Sequence, residues 1–372
     1  MGHALLKHSR KAQDHVVTSL FDTYQLGNLK LPNRLVMAPM TRARASADGI
    51  PTASTATYYA QRATAGLIVS EGVQPSLQGQ SNPNTPGLHS DEQVTAWRPV
   101  TDAVHTNGGR IFAQLMHAGR VGHPETVGYH PVAPSAIALN GQLFTGAKGM
   151  LPAPVPRALS TSEVKGEVQV FADAGRRTID AGFDGIELHG ANGYLIQQFL
   201  SSGANQRNDI YGGSVTGRIR FAVEAAEATA DAIGADRVGI RLSPGGTVWD
   251  TIEEDVPQLY GALIDALAPL GLAYIHVLAT TEDDVLIALR KAWPGAFIIN
   301  PGGQIGPKPT DQAIGEHWLN QGADLVGYGR AYLANPDLVE RFRTGAPLRE
   351  ADTATFYQGG DTGYLDYTSH QY

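Results

Sequence analysis

The chain has 372 residues, 42% hydrophobic and 17% charged, the composition of a globular protein with enough apolar side chains for a large core. Its formal net charge is -8 and its lysines and arginines form no stripe, so nothing favours nucleic acid or an anionic membrane surface as a partner. It contains no cysteine, which excludes disulfides, thiolate metal sites, cysteine-held iron–sulfur clusters and a cysteine nucleophile.

Residues 1–18 are charged and histidine-containing and lack the apolar core of a secretory signal. They read as a flexible tail, and the expected location is cytoplasmic. From residue 35 short apolar runs alternate with longer amphipathic stretches. The runs are 35–40, 67–72, 110–115, 185–189, 238–243, 273–278, 297–300 and 324–329. Each has strand length, and near-continuous apolarity suits parallel strands buried on both faces. Helical patterns lie between them, clearest over 163–181, 218–233, 254–268 and 310–321. Gly182, Gly234, Gly271 and Gly322 stand at their ends, where helices stop.

Eight strands with intervening helices predict an α/β fold, a (β/α)8 TIM barrel filling 19–372 as one domain, with an open doubly wound sheet as the alternative. The stretch 259–278 is broken by Asp265, Pro269 and His276 and reads as helix, turn and strand, not as a membrane span. After the third strand, residues 116–158 are rich in Gly and Pro. A connection that long is usually functional, so it reads as a lid or capping excursion over the barrel mouth.

In this fold the C-terminal strand ends face the active site. They carry, in order, Pro39-Met40-Thr41-Arg42, Ser70-Glu71-Gly72, Gln114-Leu115-Met116-His117, Glu187-Leu188-His189, Arg241-Leu242-Ser243, Asn300-Pro301-Gly302-Gly303 and Gly327-Tyr328-Gly329-Arg330. The set is poor in carboxylates and rich in neutral donors. It has no metal-ligand spacing and no G-x-S-x-G elbow, which disfavours zinc chemistry and acyl transfer. The loops after strands seven and eight are the usual phosphate site, and glycines there let backbone N–H groups approach a phosphate while Arg330 adds charged donors. Arg241, Gln114 and Thr41 together suit a planar ring rich in carbonyls and nitrogens.

His189 closes strand four and Asn192 follows three residues later. A helical turn starting there would put both on one face, able to donate to one substrate oxygen as charge develops on it. Tyr194 holds its proton at neutral pH and can serve as a general acid.

Several strings resemble the old yellow enzyme family, over about residues 20–367. They are Leu35-Val-Met-Ala-Pro-Met-Thr-Arg42, Gly87-Leu-His-Ser90, Ala113-Gln-Leu-Met-His-Ala-Gly-Arg120, 189–200, Asn205-Gln-Arg-Asn-Asp-Ile-Tyr-Gly-Gly-Ser214 and Phe356-Tyr-Gln-Gly-Gly360. The resemblance implies non-covalent FMN reduced by NADPH or NADH, and ene-reductase activity on small activated alkenes: enones, enals, maleimides or nitroalkenes, with nitrate esters or nitro compounds as further substrates.

It implies that Pro39, Met40, Thr41, Gly72, Gln114 and Arg241 contact the flavin. Gly302 or Gly303, with Gly329 and Arg330, would hold its phosphate. His189 and Asn192 would grip the substrate oxygen, Tyr194 would protonate the α-carbon, and Tyr357 would line the pocket. Where many members carry Trp, this chain has Met116, a flexible thioether that softens the substrate pocket. The implied state is a monomer or small homo-oligomer, without nucleic acid or membrane. Two rivals remain. A barrel aldolase or isomerase needs a lysine or glutamate at a strand end in a catalytic role. A catalytically silent flavin-binding barrel would be yellow without turnover.

Overall fold

The computed structural model describes residues 18–302 and 309–369. The eight apolar runs form β1 (Leu35–Met37), β2 (Leu67–Val73), β3 (Ile111–Leu115), β4 (Gly185–Gly190), β5 (Val238–Leu242), β6 (Tyr274–Leu278), β7 (Ala296–Asn300) and β8 (Leu325–Tyr328). All pair in parallel, and β8 closes onto β1, so the sheet is a barrel and not an open doubly wound layer. β1 is shorter than its apolar run. Ala38 N–H still reaches Tyr328 O, but Pro39 has no N–H for the ladder, and the chain leaves the sheet there. That exit turns Met40 and Thr41 into the barrel mouth.

Helices α1 (Ala53–Ala60), α2 (Asp91–Thr106), α3 (Thr161–Asp180), α4 (Val215–Ile233), α5 (Val256–Leu267), α6 (Asp283–Ala292), α7 (Gln312–Asn320) and α8 (Leu338–Thr344) lie between and after the strands. Caps explain their starts. Ser90 with Gln93 and Ser160 with Glu163 form capping boxes, Ser214 caps Gly217, and Asp311 caps Ile314. α5 starts two residues later than its periodicity suggests because Asp255 is left-handed (φ 54), a conformation a helix interior does not accept.

Side chains on a strand alternate, so each barrel strand has an inward series. At the N-terminal end the series is apolar: Leu67, Phe112, Tyr274, Ala296 and Leu325 pack with Leu26 and Leu31 from a hairpin (Tyr24–Leu26 with Leu29–Leu31). Further along the barrel come Gln114 on β3, Glu187 and His189 on β4, Arg241 on β5, His276 on β6 and Asn300 on β7. The barrel therefore changes from a dry plug to a polar layer along its axis.

Residues 116–160 leave β3 and return to α3. They contain a short helix (Pro124–Val127), a two-residue parallel pairing (Val132–Ala133 with Arg157–Ala158) and a hairpin (Gln142–Phe144 with Met150–Pro152). Val121, Leu139 and Leu143 from this excursion form an apolar cluster with Met116 and Tyr194. Among the described residues, no helix is long and apolar enough to cross a membrane.

Candidate active site

A cavity of about 660 Å³ opens at the C-terminal ends of the strands, a size suited to a cofactor or drug-sized ligand. Pro39, Met40 and Thr41 line it from the exit of β1, Gln114 and Met116 from β3, His189, Asn192 and Tyr194 from the end of β4, and Arg241 from β5. Gly302, Gly329, Arg330 and Tyr357 complete the predicted residues found on its surface. Gly303 lies outside the described residues. Gly72 does not line the cavity. It sits behind Met116, where a Cβ would come within 2.7 Å of the Met116 sulfur, so its role is to leave room for that side chain.

The polar layer is held from below. Gln114 Nε2 donates to Glu187 Oε1 at 2.8 Å. Arg241 Nη2 donates to Asn300 Oδ1 at 2.6 Å, and Asn300 in turn donates to Gly327 O. Glu187 makes no ion-pair contact with Arg241 among the described residues, but its charge acts on the guanidinium. Burial pushes Arg241 down to about 10, still cationic at neutral pH, and Glu187 opposes that fall. A carboxylate partner for this arginine thus exists inside the barrel, as electrostatics demands of a buried cation.

The turn after β4 differs from the expected helical one. Asn192 (φ 57) and Gly193 (φ 76) are consecutive left-handed residues, and the short helix Leu195–Leu200 begins only after Tyr194. Asn192 N–H donates to Ser243 Oγ and Gly193 N–H to Gln197 Oε1, which pins the turn. A Cβ on Gly193 would strike Val248 O, so the position needs glycine on both counts. His189 and Asn192 meet at the cavity through this turn and not through i, i+3 spacing on a helix. The Asn-Gly pair is a left-handed signal readable from the sequence alone.

Tyr194 stands beside His189, ring centroids 5.2 Å apart. Burial raises the Tyr194 phenol, with hydrogen bonds to Trp249 and Ser81 pulling weakly the other way, so the hydroxyl keeps its proton. Burial, then the cation Arg241 and the neighbouring His276, hold His189 well below its ordinary value, so it is a neutral imidazole.

Sequence reading missed three groups. Glu187, His276 and Tyr274 form the network beneath the cavity; no spacing rule reveals partners on separate strands. Val248 and Trp249 come from the β5–α5 loop, where Trp249 (φ 55) and Asp250 (φ 59) are left-handed. Buried Arg120 donates to the carbonyls of both and ties the excursion to this loop. Thr353 and Phe356 reach the cavity beside the expected Tyr357 because Arg42 and Arg44 grip the main-chain carbonyls of the C-terminal segment, including Thr355, Phe356 and Gly363.

The residues fit a flavin mononucleotide. Arg241 Nε and His189 Nδ1 are buried with no hydrogen-bond partner among the described residues, a cost that a polar ligand would remove. Thr41, Gln114 and Arg241 mix donors and acceptors along one stretch of the cavity. Gly302 (φ 94), Gly329 and Arg330 add backbone N–H groups and a guanidinium to the lining.

Comparison with known proteins agrees. The sequence profile of the NADH:flavin oxidoreductase / NADH oxidase family matches residues 19–349. The 12-oxophytodienoate reductase 1 of Oryza sativa subsp. japonica is 39% identical over 361 residues, covering 94% of this chain and 92% of that protein. A probable flavin mononucleotide-dependent alkene reductase of Leishmania infantum is 40% identical over 353 residues, covering 92% and 95%. The structure of an old yellow enzyme homologue from Zymomonas mobilis superposes with a TM-score of 0.90 at 38% identity, covering 94% of this chain and 99% of that one.

Proposed function

Since the chain belongs to the NADH:flavin oxidoreductase / NADH oxidase family, that of the old yellow enzymes, we propose that it is an FMN-dependent ene-reductase using NADPH or NADH to reduce activated alkenes. The observation that carries this reading is one cavity that holds both a flavin-suited polar layer and, from the next strand end, two donors with a phenol. FMN, when bound, would supply the hydride chemistry that links the nicotinamide to the β-carbon of the alkene.

The chain's own residues do the rest. Thr41, Gln114 and Arg241 would hold the ring, with Pro39 and Met40 also lining its site. Gly329 and Arg330, with Gly302, would hold the phosphate. His189, as a neutral imidazole, and Asn192 donate to the carbonyl or nitro oxygen of the substrate and stabilise the charge that gathers there. Tyr194, its proton held tightly, delivers that proton to the α-carbon. Met116, Trp249 and Tyr357 shape the space around the alkene, and the 116–158 excursion acts as a lid that keeps water from it. The cysteine-free composition suits a reducing cytoplasm, where we place the enzyme as a monomer or small homo-oligomer without a nucleic-acid or membrane partner.

The test is direct. Purified protein is yellow, NAD(P)H bleaches it in anaerobic stopped flow, and cyclohexenone restores the colour. A colourless protein sinks the proposal. A yellow protein that no activated alkene reoxidises would instead be a silent flavin carrier.

A further inference from the structure

Below the cavity lies a carboxylate that the proposed reaction does not call on. Glu187 is fully buried on β4, two residues before His189 and therefore on the same inward face, one step deeper. Its register partners are Gln114 on β3 and Gly239 on β5. Three side chains converge on it. Gln114 Nε2 donates to Oε1 at 2.8 Å, Tyr274 O–H donates to Oε2 at 3.1 Å, and His276 Nδ1 lies 2.8 Å from Oε2. The Tyr274 ring reaches across β5 only because position 239 is glycine: a Cβ there would run into the ring. Neither Glu187 nor Tyr274 nor His276 touches the cavity, but Gln114 and Arg241 do.

We propose that Glu187 is a positioning residue that turns the carbonyl of Gln114 toward the cavity and offsets the charge of Arg241, and so sets the reduction potential of the bound flavin. The inference rests on the FMN reading above. An ionised carboxylate only accepts hydrogen bonds, so the Gln114 amide must point its NH2 at Glu187. The atom left for the cavity is the Gln114 carbonyl, an acceptor matched to the N3–H donor of a flavin pyrimidine ring. The second part is electrostatic. Reduction places negative charge at the pyrimidine end of the ring, and Arg241 favours it. Glu187, acting on that guanidinium through the barrel interior, weakens the effect. Burial opposes the charge of Glu187, but His276, Arg241 and Gln114 outweigh it and keep the group ionised.

The experiment is a potentiometric titration of the holoenzyme. Glu187→Gln keeps the shape, removes the charge and gives residue 187 an NH2 that turns Gln114 around. Its flavin should be reduced more easily, about tenfold in equilibrium constant, a rise of about 30 mV for a two-electron couple. Its apoprotein should bind oxidised FMN about tenfold more weakly, since the acceptor no longer faces the ring. An unchanged or lower potential overturns the proposal, because a carboxylate that merely fills the core would not move it. If Glu187→Gln yields no holoprotein, Tyr274→Phe decides. Losing a phenol that screens the carboxylate should shift the potential the opposite way, about threefold in equilibrium constant, and no shift there overturns the proposal equally. Parent protein that binds no flavin at all would count against the FMN reading instead.

Discussion

Two sets of residues line the cavity, and they are built by different means. Gln114, Arg241 and Asn300 come from within barrel strands and are braced by neighbours in register, Glu187 and Gly327 among them. Met116, Trp249, Phe356 and Tyr357 come from segments beyond the strands. They are held by single long-range devices: the space at Gly72, the Arg120 bonds to Trp249 and Asp250, and the Arg42–Arg44 grip on the C-terminal carbonyls. Register fixes the first set to the accuracy of the barrel, which is what a common cofactor requires. The second set can change residue by residue without disturbing the barrel, which is how one scaffold admits different substrates. His189, Asn192 and Tyr194 stand at the junction, one on the strand and two on the turn that follows.

The sharpest way to break this division is at Tyr194. If it serves only the alkene, Tyr194→Phe should slow reoxidation of the reduced enzyme by cyclohexenone about 100-fold or more, the usual worth of a positioned general acid. Reduction by NAD(P)H should be unaffected, because that half needs no phenol proton. Equal slowing of both halves in stopped flow would mean that Tyr194 belongs with the cofactor set.

Asn192→Ala tests the oxygen-gripping pair at the next level. Loss of one donor to a developing oxyanion typically costs about 3 kcal/mol, so kcat/KM for cyclohexenone should fall about 100-fold. The enzyme should still bleach with NAD(P)H at the parent rate. A variant that loses its flavin on gel filtration would place Asn192 on the cofactor side.

A smaller effect is expected at Gly72. A methyl there would lie 2.7 Å from the Met116 sulfur and 3.0 Å from its terminal carbon. The thioether is the free end of a flexible side chain, so it moves rather than the barrel. Gly72→Ala should push Met116 into the substrate space and raise KM for a bulky enone about tenfold, a cost of about 1.4 kcal/mol, with little change for a small one. A uniform loss of flavin would show instead that position 72 supports the cofactor.

The same division explains what could be read from the sequence. Buried parallel strands announce themselves as apolar runs, and helix caps and terminal glycines mark what lies between, so the barrel was legible. Polar residues at strand ends break the apolar pattern, which made Gln114, His189 and Arg241 visible. Glu187 also breaks it, but its meaning depends on His276 and Tyr274, 89 and 87 residues away, and register across strands is not written in any one of them. The grip of Arg42 and Arg44 was equally hidden, since its targets are main-chain carbonyls, which carry no residue identity. The Asn192-Gly193 turn was readable, and treating it as helical still put His189 and Asn192 at one cavity, though by the wrong geometry.

The smallest expected effect is an absence that discriminates. A histidine that donates to a substrate oxygen is often drawn as an imidazolium, and the alkene half-reaction would then weaken as pH rises through the ordinary histidine value of about 6.5. Burial, together with Arg241 and His276, holds His189 well below that value. A depressed folded value means that the neutral form is complete throughout the neutral range, and protonation comes only on acidification. The rate of reoxidation by cyclohexenone should therefore be flat between about pH 6.5 and 8.5. Stability follows the same sign: His117, His189 and His276 are all depressed, so the fold should be most stable above the unfolded value and lose stability as pH falls through it toward the depressed folded values. A reoxidation rate that falls with rising pH, and loses that dependence in His189→Asn, would show that the imidazole is charged and that the Arg241 cation beside it is screened by the bound cofactor.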